Sequence, residues 1–233
     1  YSKSIKEADK LILDEELEDR MKKNFMEIMQ RNGGEEFCTQ NEMVEFYEDG
    51  LKILEFFKKK RADYFSKKGY ELIGIETSLN SDLPRNIKFK GFIDLIIKDN
   101  IRNRIKIIDI KTSTWGWNKY QKADKNKTQQ LLLYKQFYAE QYNHPIENIE
   151  VEYFIVKRKL WENTDFPQKR VQKFVPASGK PSMNKVIKGL DLFLDVAFDD
   201  EGKHNTDKIF ALPSKKACKW CEFRKTEYCS EGV

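Results

Sequence analysis

The stretch IKFKGFIDLIIKDNIRNRIKIIDIKT, residues 87–112, reads as two strands around one turn. Residues 87–98 and 104–112 are rich in isoleucine and mostly alternate apolar with polar positions, while Asp99-Asn-Ile-Arg-Asn103 carries turn chemistry. A turn centred between Ile101 and Arg102 mirrors each residue about that point, which sets Asp94 opposite Asp109. Side chains two apart on a strand share a face, so Lys111 joins Asp109, while Ile108 and Ile110 are expected to point the other way into apolar packing. Directly opposed residues have Cβ atoms about 5 Å apart, and two bare carboxylates at that spacing repel. Something cationic belongs between them. The plainer reading, solvated charges on the polar face of an antiparallel pair, meets two objections: opposed like charges destabilise a sheet, and Ile107, Ile108 and Ile110 imply a partly buried strand.

Working outward, periodicity predicts a helix over residues 3–31, stopped by Asn32-Gly33-Gly34. A second helix is expected from Thr39 to Lys68, opened by a Thr39/Glu42 capping box, and Tyr70–Leu79 reads as the first strand. After the hairpin, Gln130-Leu-Leu-Leu-Tyr134 falls on a helix expected over residues 127–142. That helix becomes the crossover to a fourth strand, IEVEYFIVK, residues 149–157. Residues 170–175 suit an edge strand and residues 184–199 an amphipathic helix. The class is therefore α/β, with a mixed central sheet flanked by helices. We divide it into an N-terminal helical segment (1–68), a core (69–200) and a C-terminal cysteine-containing segment (201–233), all in one structural domain.

Gly91-Phe-Ile-Asp94, then Asp109-Ile-Lys111-Thr112, then Gln130 and Tyr134 on a helix, resembles the PD-(D/E)xK nucleases in its order of motifs, and within them the RecB-like exonuclease branch. The resemblance covers roughly residues 70–157. It implies a restriction-endonuclease-like core and hydrolysis of phosphodiester bonds with Mg²⁺ or Mn²⁺. Asp94 and Asp109 would ligate the ion, with the Ile110 carbonyl as a third oxygen. Lys111 would orient water or stabilise charge, and Gln130 and Tyr134 would support the nucleophile or a phosphate. Relatives of this branch place a His or Glu upstream of the first strand, yet no His precedes that strand here. Glu76, Glu45, Glu48 and Glu55 are the candidate substitutes. The chain opens at Tyr1 without an initiator Met, as an excised domain would.

The next segment, residues 112–128, interleaves Trp115, Trp117 and Tyr120 with Lys119, Lys122, Lys125 and Lys127. Aromatics that stack on bases beside amines that follow phosphates suit a single-strand groove; a surface loop whose tryptophans pack back onto the core fits the same pattern. The four cysteines are Cys38, Cys218, Cys221 and Cys229. Their spacing argues for metal ligation before disulfide formation. AddB and CRISPR-associated relatives hold a [4Fe-4S] cluster on one N-terminal and three C-terminal cysteines, so the resemblance implies such a cluster. Zinc with His204, or free thiols, are the alternatives.

Composition supports a folded enzyme domain. The chain has 233 residues, 35% of them charged and 13% aromatic, and a net charge of +5 from 43 basic and 38 acidic residues. Its mean hydropathy is -0.73. This excludes the disordered class, and no apolar run approaches a membrane span. We expect a cytoplasmic protein, or a phage-encoded one acting in the host cytoplasm. Its expected partners are DNA, single-stranded or at ends, and a helicase or recombination protein. The expected activity is a metal-dependent deoxyribonuclease, an exonuclease in repair, recombination or phage replication; the alternative is a DNA-binding, end-recognition module with a degraded site.

Overall fold

The computed structural model describes residues 14–66, 68–206 and 213–233. Its helices are α1 (Asp14–Arg31), α2 (Gln40–Lys60), α3 (Lys119–Ala123), α4 (Lys125–Gln141) and α5 (Lys180–Ala197). Its strands are β1 (Tyr70–Leu83), β2 (Ile87–Asp99), β3 (Arg104–Ser113), β4 (Ile149–Lys157) and β5 (Val171–Phe174). The part of the first expected helix before Asp14 lies outside the described residues. The strands form one five-stranded sheet in the order β1-β2-β3-β4-β5. Among the described residues no helix is long and apolar enough to cross a membrane.

Thr39 caps α2 as its sequence predicts. Its Oγ1 accepts the Glu42 N–H at 3.3 Å, and Glu42 Oε2 accepts the Thr39 N–H at 2.8 Å. The helix ends at Lys60 rather than Lys68 and passes into a short 3₁₀ turn at Arg61–Asp63. Tertiary packing accounts for the early stop. Tyr64 and Phe65 turn inward to meet Phe154, at 5.6 and 5.2 Å between ring centroids, beside Phe57 at 6.1 Å. These rings, with Ile53 and Phe56, cover the sheet face made by Ile97, Ile108, Phe154, Val156 and Val171.

The hairpin has the expected register, from Asp99–Arg104 to Leu95–Ile108. Asp99 holds its turn: one carboxylate oxygen accepts the N–H groups of Ile101 and Arg102, both at 3.0 Å. β3 and β4 then pair in parallel from Ile105–Ile149 to Ser113–Lys157, with α4 as the crossover. Asp109 pairs with Tyr153 in this ladder, so the two share a face. The Tyr153 hydroxyl donates to the Lys127 carbonyl, which sets α4 on that same face. The two sheet faces therefore divide the work: α2 covers the apolar side of Ile108, and α4 covers the side of Asp109.

The described residues form two compact units. One is the chain up to Asn80 together with Lys90–Met183; the other is Ser81–Phe89 together with Asn184–Val233. In the second unit the Arg85 guanidinium donates to the carbonyls of Leu194 (3.3 Å) and Phe198 (2.5 Å) at the end of α5, and pairs with Asp195 at 2.6 Å. A basic group satisfying the last carbonyls of a helix also complements its dipole.

Candidate active site

The site forms where β2 leaves β3. Their ladder stops at Leu95–Ile108, and the Ile110 N–H donates to Asp94 Oδ2 at 2.6 Å instead of to a backbone carbonyl. Asp94 is thereby tied to the residue between Asp109 and Lys111. Asp109 is 2% exposed. Its buried Oδ2 is ion-paired with Lys111 Nζ at 2.7 Å. Burial pushes the Asp109 carboxyl above the usual range; Lys111 opposes the shift and Asp94 adds to it.

Ile110 does not pack as expected. It is 43% exposed, because the apolar cover from α2 reaches Ile108 and stops short of the strand end. On α4, Gln130 Nε2 donates to the Tyr134 hydroxyl at 3.0 Å; Tyr134 is buried and Gln130 half-buried. They form an i, i+4 pair on the helix that covers the Asp109 face.

Glu76 sits at a break in β1. Buried or half-buried positions run Leu72, Gly74, then Thr77, Leu79, Ser81, so the alternation slips by one, and Glu76 has φ 47°. That is the signature of a bulge, and it leaves the Glu76 side chain exposed. Glu45 and Glu55 on α2 are engaged elsewhere. Glu45 pairs with Lys159 (2.5 Å) and Arg158 (3.5 Å), Glu55 pairs with Lys59 (2.5 Å), and Glu48 lies beside Leu51 and Lys52 in a shallow depression. Asp49, which sequence reasoning passed over, is buried on α2 with Arg158 at 3.6 Å.

The donor set fits a hard divalent ion. Two carboxylates meet at one strand end, one of them buried beside the Lys111 ammonium. Carboxylate oxygen is what Mg²⁺ or Mn²⁺ prefers, and Mg²⁺ usually keeps several waters. Among the described residues no three His, Cys, Asp or Glu side chains converge, so the protein's share would be Asp94, Asp109 and a carbonyl such as that of Ile110. Among the described residues the four cysteines, Cys38 included, are not brought together as a ligand set. Cys218 is buried, Cys229 half-buried and Cys221 exposed. Their segment is held by turns, with the Cys221 N–H on the Cys218 carbonyl (3.3 Å) and the Lys225 N–H on the Cys229 carbonyl (3.0 Å). Backbone N–H groups of Val233 and Ser214 lower the Cys218 thiol. His204 packs on Phe198 at 5.4 Å between ring centroids.

The aromatic segment divides at Gly116. Trp117, expected to stack on nucleic acid, is only 7% exposed and packs on Tyr153 (4.9 Å) and Phe174 (6.2 Å). The Gln172 side-chain amide holds its backbone, accepting the Trp117 N–H at 2.7 Å and donating to its carbonyl at 3.1 Å. Trp117 is therefore a core residue. Lys122 sits over the Phe174 ring at 5.9 Å. Trp115 and Tyr120 remain exposed, with Lys119 over the Tyr120 ring at 5.1 Å. Trp115 stacks on Trp161, a residue for which sequence reasoning had no signal because its partner lies far away in the chain. Tyr153 was equally hidden: β4 is buried along nearly its whole length and shows no alternation.

A mixed sheet flanked by helices, with a carboxylate pair and a lysine at the strand fork, is a restriction-endonuclease-like fold. The chain belongs to the PD-(D/E)XK nuclease superfamily, whose sequence model matches residues 5–226. No curated protein matches it.

Proposed function

We propose that the chain is a Mg²⁺- or Mn²⁺-dependent deoxyribonuclease acting as an exonuclease on single strands or DNA ends, in repair, recombination or phage replication. The observation that carries this reading is the buried Asp109 carboxylate, ion-paired with Lys111 beside the strand that carries Asp94. Bound at these carboxylates, the ion would polarise a phosphoryl oxygen and make water nucleophilic at neutral pH. Asp94, fixed by the Ile110 N–H, presents its carboxylate in one orientation. Lys111, half-exposed beside Asp109, can turn its ammonium to a phosphate oxygen as charge develops there. Gln130 and Tyr134 hold each other on α4 and offer polar groups from that helix.

A gel assay on end-labelled single-stranded and duplex DNA with Mn²⁺ tests this, with Asp109→Ala and Lys111→Ala as controls. Metal-dependent shortening from one end that both substitutions abolish is the expected result. A second reading rests on one observation, that no third acid converges on the site among the described residues: a DNA-binding, end-recognition module that no longer cuts. DNA retained by the natural chain without any metal-dependent product would favour it.

A further inference from the structure

Trp115 and Trp161 are stacked, with ring centroids 4.2 Å apart and planes inclined by 14°. They are 43% and 60% exposed. Stacked face to face, the two indoles form one exposed aromatic patch, of the kind that marks a site for a partner.

Their placement is built rather than incidental. The Arg158 N–H donates to the Ser113 carbonyl at 2.8 Å and the Lys159 N–H to the Thr114 carbonyl at 2.9 Å, carrying the β3–β4 pairing past the strand ends. Trp115 follows Thr114 directly, and Trp161 comes two residues after Lys159. Beneath Trp115 a tight turn closes, in which the Ser113 hydroxyl accepts the Gly116 N–H at 3.2 Å and donates to its carbonyl at 3.1 Å. Gly116, at φ +92°, reverses the chain there so that Trp117 enters the core and Trp115 stays outside. Across the stem of the second loop, residues 158–170 between β4 and β5, Arg170 Nη1 donates to the carbonyls of Lys157 (3.2 Å) and Arg158 (2.8 Å). Both indoles thus stand on fixed backbone, which lowers the ordering cost of binding a flat ligand.

We propose that this indole pair is a stacking platform for unpaired bases of the DNA strand that enters the site. The proposal takes the polymer from the nuclease reading above and adds which part of it is recognised. Trp115 is four residues beyond Lys111, at most about 13 Å of extended chain, so the held base belongs to a nucleotide close to the cut. Bases within a duplex already stack on their neighbours; only a single strand or a frayed end has a π-face to offer. Lys119 and Lys157 lie on the flanking segments, while Lys159 is paired with Glu45 at 2.5 Å. Glu162 and Asp165 on the second loop limit charge attraction, which leaves stacking to carry the selectivity.

The test is fluorescence anisotropy in EDTA with a labelled oligothymidylate and an abasic strand of the same length. The proteins are the natural chain, Trp115→Ala, Trp161→Ala and Trp115→Phe. Either alanine substitution is expected to weaken oligothymidylate binding about tenfold, with most of the loss restored in Trp115→Phe. The natural chain should bind the abasic strand about as weakly as Trp115→Ala binds the normal one. Equal affinity of the natural chain for both strands, or unchanged affinity in both alanine variants, overturns the platform. The same proteins are then assayed with Mn²⁺. If the natural chain does not cut but shows the base-dependent binding, the nuclease reading falls and the platform stands. If it cuts while the alanine variants bind and cut like it, the platform falls and the nuclease reading stands.

Discussion

Asp94 accepts the Ile110 N–H at 2.6 Å, one residue beyond Asp109, its mirror position across the hairpin. That offset explains how two carboxylates share a strand fork without separating it. Each has its own cationic or N–H partner, Asp94 on the backbone of β3 and Asp109 on Lys111. The backbone donor that would have continued the β2–β3 ladder is used to aim a side chain.

Asp94→Asn keeps an oxygen for the Ile110 N–H but removes the charge. We expect its urea midpoint to stay close to that of the natural chain while metal-dependent cleavage falls at least about a hundredfold. Asp94→Ala should lose both, with a stability cost of about 1 kcal/mol for the unpaired N–H. Equal midpoints for the two variants would show that the Asp94 bond contributes nothing to the fold.

The two tryptophans around Gly116 should separate in the opposite way. Trp117→Ala removes a buried indole between Tyr153 and Phe174 and is expected to cost about 3 to 4 kcal/mol in urea unfolding. Trp115→Ala, at an exposed position, should change stability by less than about 0.5 kcal/mol. Comparable losses at both positions would contradict the division at Gly116.

The hairpin register, the capping box and the bounds of β4 were legible because each depends on local chemistry: turn residues, a Thr39-x-x-Glu42 pair, and an apolar run of strand length. Asp94, Asp109 and Lys111 followed from the same register. What local chemistry could not show depends on partners distant in the chain. Glu76 lies on a bulge that breaks the two-residue period of β1. α2 stops eight residues early because Tyr64 and Phe65 gain more against Phe154 than in further helical turns. Trp115 and Trp117 read alike until Gln172 and Trp161 take one each.

Lys135 is a buried amine on α4 whose Nζ donates to the Ser178 carbonyl at 3.2 Å. Burial holds its ammonium below the ordinary lysine range, with Glu150 and Glu147 opposing. The folded state therefore releases this proton at lower pH than the unfolded chain does, and stability rises with pH between the two values. Lys135→Met removes the cost of the buried charge and should be about 1 kcal/mol more stable than the natural chain at pH 7. Urea unfolding at pH 7 and at pH 10 checks this: the advantage of the Met variant should shrink at the higher pH, and one that grew would reverse the assigned shift.

Asp109 couples stability to the metal. Its carboxyl is raised in the folded state, chiefly by burial. Below the ordinary aspartate range both states are protonated and no penalty exists; as pH rises through that range the unfolded chain ionises first, and stability falls until the folded carboxyl ionises too. At neutral pH without divalent ions, Asp109→Asn should therefore be more stable than the natural chain, because the charge is gone and Lys111 can turn to solvent. Adding Mn²⁺ should reverse the order, since an ion bound only by the folded state at a hundred times its Kd adds about 2.7 kcal/mol, and the Asn variant has lost the carboxylate that would hold it. Thermal melts of both proteins in EDTA and over a Mn²⁺ series make the comparison. A melting temperature that climbs equally in both would place the ion away from Asp109.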